Sequence, residues 1–170
     1  MTNTYTLIKL NGTKEQVPFL MQKGQPYVSK HIAKYEVEDR WTGEVEIFEP
    51  VIQCFEEARR LLGKPIGINS GFRSPEYQQH LKELGYKTAT NSPHCWGAAL
   101  DLAIPRGMTY LILMNAFKQA AKNLKLPRPR FGYKEYSYNF LHFDLIFLLF
   151  SPYTDKENPC PGSWRAGVEW

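Results

Sequence analysis

A chain of 170 residues with 43% hydrophobic content carries enough apolar material for one domain with a real core, and too little for two comfortable ones. The formal net charge is +4 and the pI near 8.9, yet Lys and Arg are scattered among acidic residues rather than gathered into a stripe, which speaks against a nucleic-acid surface. The three cysteines (Cys54, Cys95 and Cys160) are odd in number, widely spaced and without a C-x-x-C pair, which argues against a disulfide framework and a zinc knuckle and fits synthesis in a reducing compartment.

The first sixteen residues, "MTNTYTLIKLNGTKEQ", lack a basic segment followed by an apolar one, so no signal peptide is expected. Residues 1–48 hold short alternating pieces, "YTLIKL" and "EVEIF", which predict edge strands or an N-terminal extension. From Glu49 to Leu62 the apolar residues recur at helical spacing, with Pro50 in the first turn and Gly63 where a C-cap belongs; this predicts an amphipathic helix. "PIGINSGFR" reads as a short strand broken by glycines. Ser74 and Pro75 then supply the cap and first position of a second helix that runs to Gly85, which leaves Arg73 at a strand-to-helix junction.

"GAALDLAI" follows as a strand, and "MTYLILMNAFKQAAKNL" after Gly107 as a third helix closed by the proline-rich "KLPRPR". "RFGYKEY" and "FLHFDLIF" are strand-like. The longest apolar run, residues 140–150, is too short to span a bilayer as a helix and is interrupted by His142 and Asp144. The tail, residues 151–170, is rich in turn residues but carries Trp164 and Trp170, so it is expected to pack on the domain, with a tryptophan platform for sugars as the sharper alternative. This order lacks the regular alternation of a parallel doubly wound sheet, and an α+β domain covering residues 1–170 is expected.

Asp101 stands inside an apolar run, where an ionised carboxylate is costly without a positive partner. Strand alternation puts Ala99, Asp101 and Ala103 on one face and Leu100 and Leu102 on the other. In "FLHFDLIFL" it puts His142 and Asp144 on a common face, roughly 6.6 Å apart along the strand. If the two strands are neighbours, Asp101 and His142 come within cross-strand reach, and the turn before Trp96-Gly97 can return His94 over them. Two imidazoles and a carboxylate with one position left to water is the composition of a catalytic zinc site.

"SGFRSPEYQ" at 70–78, "SPHCWGAALDL" at 92–102 and "LHFDL" at 141–145 resemble the three blocks of the zinc D-alanyl-D-alanine carboxypeptidase family, which shares its fold with the hedgehog signalling domain. The second block shows Ser-x-His-x-x-Gly-x-Ala-x-Asp as Ser92, His94, Gly97, Ala99 and Asp101. The resemblance runs from about Ile68 to Leu145, nearly half the chain, and implies a hedgehog/DD-peptidase-like fold with helices packed on a small antiparallel sheet. It also implies zinc ligands at His94, Asp101 and His142, an Arg73 that holds the substrate carbonyl or the charge developing on it, and a supporting Ser92.

One position departs from the pattern. Some branches place a Glu or Asp three residues before the last histidine as general base, and here Asn139 stands there. Asp144 is then the carboxylate available for base or orienting work, with Glu135 the alternative. Tyr133, Tyr136 and Tyr138 cluster just before the site, and Tyr138 and Asn139 are candidate substrate-groove residues. Cys95 is a weak candidate for a fourth ligand, since adjacent residues on an extended chain point apart. His31 and His80 are expected to do nothing chemical.

The resemblance therefore implies a zinc metallopeptidase that hydrolyses amide bonds of peptidoglycan stem peptides or cross-bridges, as a carboxypeptidase or an endopeptidase. Without a signal peptide, action on the cell wall fits either a phage-borne endolysin or virion-associated lysin, or release by a route the sequence does not show. The competing expectation, which Asn139 favours, is a non-catalytic module of the same fold that keeps zinc for stability and binds cell-wall or protein partners.

Overall fold

Local sequence signals place the helices. In the computed structural model, which describes residues 3–86, 88–89, 92–132, 140–149 and 168–169, helix α2 (Glu49–Leu62) begins with Pro50 in its first turn and ends on Gly63 at φ 61°. Helix α3 (Pro75–Glu83) is capped by Ser74 Oγ, which accepts from the Tyr77 N–H. Helix α4 (Tyr110–Asn123) is capped by Thr109 in the same way through Ile112. A one-turn helix, α1 (Lys34–Val37), precedes them; Glu36 holds it by accepting from the Ala33 and Ile68 N–H groups.

The larger sheet has the order β10-β8-β9-β7-β6, every neighbouring pair antiparallel. Its strands are β6 (Ile68–Ser70), β7 (Ala99–Ala103), β8 (Arg130–Gly132), β9 (Phe140–Asp144) and β10 (Val168–Glu169). Alternation gives this sheet two different faces. Leu100, Leu102, Leu141 and Phe143 go to the core, where Phe143 meets Phe117 of α4 at a ring separation of 4.6 Å. Asp101, His142 and Asp144 go to the opposite face and are nevertheless buried.

The expected strand "FLHFDLIF" is cut short. Asp144 Oδ1 accepts from the N–H of Ile146, which turns the chain after one residue and starts a 3-10 turn over Ile146–Leu148. Ile146 is buried all the same.

The first 48 residues form more than an edge. β1 (Thr4–Ile8) pairs antiparallel with β2 (Lys14–Pro18) and parallel with β5 (Glu46–Phe48), and β3 (Leu20–Gln22) pairs with β4 (Gln25–Tyr27). Tyr5, Leu7, Ile8, Ile47 and Phe48 belong to the same apolar cluster as Leu100, Phe117 and Phe143. In the tail, Val168 and Glu169 pair with Gly132 and Phe131. Trp164 and Trp170 lie outside the described residues.

Two glycines let this N-terminal layer approach the sheet. A Cβ on Gly71 would stand 2.6 Å from Val37 Cα, and one on Gly97 would stand 2.5 Å from the Glu46 carbonyl oxygen. Gly97 also has φ 62°, a left-handed conformation that costs other residues about 1–2 kcal/mol. Gly71→Ala is expected to lower unfolding free energy by about 1–3 kcal/mol through overpacking. Gly97→Ala should cost more, because the backbone penalty adds to the clash. Urea titration of both variants checks this; a midpoint unchanged in either would show that the layers can separate without loss.

Candidate metal and active site

Ser92 starts the site by capping the 3-10 turn Pro93–Trp96, its Oγ accepting from the His94 N–H at 3.3 Å. The turn is fastened on two further sides. Arg73 donates its N–H to the His94 carbonyl, and the Gly97 carbonyl accepts from the N–H of Phe48 in β5. His94 is thereby turned back over β7, and its Nδ1 donates to the Gly71 carbonyl at 2.6 Å. That bond assigns the ring hydrogen to Nδ1 and leaves the Nε2 lone pair facing the sheet.

The sheet supplies the other two groups. β7 and β9 pair so that Asp101 lies directly opposite His142. Three atoms converge: His94 Nε2 is 3.2 Å from Asp101 Oδ1 and 3.3 Å from His142 Nδ1, and His142 Nδ1 is 2.9 Å from Asp101 Oδ1. Among the described residues these three form the one grouping of His, Cys, Asp or Glu with metal-ligand spacing. A tetrahedral zinc ion with bonds of about 2.0–2.1 Å would hold its ligand atoms about 3.3 Å apart. The donor set fits such an ion, because a His94 lone pair and an ionised carboxylate oxygen face each other and need a cation between them.

Asp101 is also the partner of Arg73. Its Oδ2 accepts from Arg73 Nη2 at 2.5 Å, while Arg73 Nε donates to Ser70 Oγ and Nη1 lies 3.5 Å from Gln78 Oε1. Burial alone would raise the Asp101 pKa; His94, His142 and Arg73 outweigh it and hold the carboxyl well below its ordinary range. Burial and the Arg73 charge keep His94 below the usual imidazole value, whereas on His142 the carboxylates of Asp101 and Asp144 overcome burial and raise it.

Asp144 stands behind His142 instead of beside the three converging atoms. Its Oδ2 is 3.2 Å from His142 Nε2, the ring nitrogen opposite the one that faces Asp101, and both its oxygens accept from Arg130 Nε, at 2.9 and 3.1 Å. The carboxylate is 1% exposed. Tyr138, Asn139, Glu135, Tyr133 and Tyr136 lie outside the described residues, as does Cys160. Cys95 is not part of the converging group, and Cys54 is a core thiol whose pKa burial, aided by Glu57, pushes up to about 12. His31 pairs with Glu56 at 2.6 Å and His80 packs on Trp41, both apart from the site.

Two residues that sequence reasoning passed over support the site. Arg130 sits in what reads as a proline-rich helix exit, and only the β8–β9 register, which sets it opposite Asp144, reveals its partner. Asp39 is 1% exposed and accepts from the N–H groups of Ser74, Trp41 and Thr42, so it ties the residue after Arg73 to the N-terminal layer. The Trp41 and Thr42 donors form a local turn, but spacing offered no signal for the Ser74 N–H, 35 positions away.

A family model described as Peptidase M15 matches residues 30–144, more than half of the chain. No curated protein matches it. Among solved structures the chain is similar to the L-Ala D-Glu endopeptidase ChiX of Serratia marcescens, with 22% identity over 59% of this chain and 81% of that one and a TM-score of 0.47.

Burial would raise the Asp39 pKa, but the Ser74, Thr42 and Trp41 N–H groups prevail and lower it. A depressed folded-state pKa gives stability that is present above the unfolded value near 3.9 and is lost as pH falls through the folded one. Asp39→Asn should therefore cost about 1–3 kcal/mol at pH 7. The gap between parent and variant should narrow below about pH 4. Urea titrations at pH 7 and pH 3 measure both, and an equal gap at the two pH values would remove the ionised carboxylate from the explanation.

Proposed function

Because the chain belongs to the peptidase M15 family, we propose that it is a zinc-dependent peptidase that hydrolyses amide bonds of peptidoglycan stem peptides or cross-bridges. The observation that supports this reading best is the convergence of His94 Nε2, Asp101 Oδ1 and His142 Nδ1 at 2.9–3.3 Å, with the His94 hydrogen held on the remote Nδ1 by the Gly71 carbonyl. A zinc ion held there would supply Lewis-acid polarisation of a scissile carbonyl and acidification of water.

The chain's own residues do the rest. Arg73 is aimed by Ser70 and Asp101 and presents a fixed cation at the site for the charge that develops on the carbonyl oxygen. Gly71 and Asp144 hold the two imidazoles by their remote nitrogens. With its oxygens engaged by Arg130, Ile146 and His142, Asp144 serves this reading as an orienting group rather than as the proton acceptor. Glu135 is then the carboxylate to test for that second role. Among the described residues no helix is long and apolar enough to cross a membrane. A phage endolysin or virion-associated lysin is the setting this reading proposes.

Elemental analysis should find one zinc per chain, lost in His94→Ala and in His142→Ala; full stoichiometry in both variants would sink the ligand assignment. Affinity should weaken as pH falls through the imidazole range, around 6.5 and below, because only the neutral ring binds. Purified peptidoglycan and a synthetic stem peptide should both be cleaved, and the products decide between carboxypeptidase and endopeptidase. A zinc-loaded chain that turns over neither would be a binding module instead.

Arg73→Ala should keep zinc and lose about 10²- to 10³-fold in kcat. Arg73→Lys should recover only part of this, because an ammonium does not reproduce the planar fork. Asp144→Asn should weaken zinc binding by about 10- to 100-fold. Parent-like turnover in Arg73→Ala would return Arg73 to a structural role.

A further inference from the structure

We propose that Arg130 is a positioning residue for the metal ligand His142, acting through Asp144. The inference rests on the zinc reading above and extends it by one shell of residues. Arg130, Asp144 and His142 are 2%, 1% and 2% exposed. A buried ion pair is weak grounds for stability, since desolvation of two charges commonly matches or exceeds their attraction. Its location is the informative part.

Arg130 faces Asp144 across the β8–β9 ladder, and His142 faces Asp101 across the β9–β7 ladder, so the ion pair is built into the same register that assembles the site. Arg130 Nε reaches both oxygens of Asp144, and the Ile146 N–H reaches Oδ1. These donors fix the plane of the carboxylate and leave Oδ2 toward His142 Nε2. A guanidinium keeps its proton at any working pH, so the carboxylate beside it acts as an acceptor only. With a zinc ion on Nδ1, the hydrogen of the neutral His142 ring would stand on Nε2, facing Asp144 Oδ2.

His94 has the same kind of hold, but from the Gly71 carbonyl, a backbone group set by the fold. His142 depends on side chains instead, and so its orientation is open to substitution. The Phe147 ring, 4.9 Å from the guanidinium carbon, packs on Arg130 and keeps its fork from swinging away.

The test measures zinc affinity of the full chain by competition with a chromophoric chelator, with circular dichroism confirming the fold. Arg130→Gln is expected to weaken zinc binding by about 10- to 100-fold, the usual range for partners behind a metal ligand. Arg130→Lys, which keeps the charge without the fork, should lose less. The distinguishing measurement is Arg130→Gln in an Asp144→Asn background: if Arg130 works through Asp144, the second substitution adds little to the loss. Nitrogen-15 spectra of the histidine rings in the zinc-loaded chains should show the Nε2–H form of His142 in the parent and a mixture in Arg130→Gln.

A folded Arg130→Gln with parental affinity, or losses that multiply in the double variant, would overturn the proposal. Should Arg130→Gln fail to fold, Arg130→Lys alone and in the Asp144→Asn background carries the same comparison. A parent chain that binds no stoichiometric zinc would instead overturn the functional reading itself, so the two failures are told apart by the parent measurement.

Discussion

The site depends on one buried carboxylate. Asp101 sits on a strand whose neighbours in sequence are alanines and leucines, and an ionised group there is tolerable only with compensation on each oxygen. Oδ2 has the Arg73 guanidinium, and Oδ1 has two imidazole nitrogens. Each partner arrives from a different part of the chain: a strand-to-helix junction, a 3-10 turn and a paired strand. Holding that carboxylate therefore constrains the positions of three elements at once, and its flanking alanines leave room for them.

Bringing those elements together needs close backbone approach, which the two glycines permit. Gly71 lies where α1 presses on the strand end, and its carbonyl is the one that orients His94. Gly97 ends the turn that carries His94 and abuts β5 of the N-terminal sheet. The same contacts that pack the N-terminal layer thus orient a site residue. This explains why strands at the start of the chain share a core with the sheet that bears the site.

What could be read from sequence was whatever is local or periodic. Pro50, Gly63, Ser74 and Thr109 mark helix ends by short-range bonding, and the alternation in β7 and β9 separates core leucines from the polar face without knowledge of the partner strand. The meeting of Asp101 with His142 followed once the two strands were taken as neighbours. Arg130 was invisible because its partner is fixed by strand register, and the part Asp39 plays at the site because its bond to the Ser74 N–H spans 35 positions. The strand "FLHFDLIF" was read too long because its apolar pattern continues past Asp144, where a side-chain bond to the Ile146 N–H overrides it.

Asp101 and Asp144 show how neighbouring carboxylates on one sheet face acquire different work. Both are buried, and in both burial opposes ionisation while nearby groups prevail. Asp101 Oδ1 meets the His94 Nε2 lone pair and lies 2.9 Å from His142 Nδ1, at the point where the three atoms converge, and that is what makes it a ligand candidate. Asp144 meets hydrogens, from Arg130, from Ile146 and from the far nitrogen of His142, so its need is already met. Residue type and strand face are the same for the two, and strand alternation alone treats them alike. The difference lies in which side of one imidazole each of them faces, and a single ring places a metal-seeking oxygen and a ring-orienting oxygen on its two nitrogens.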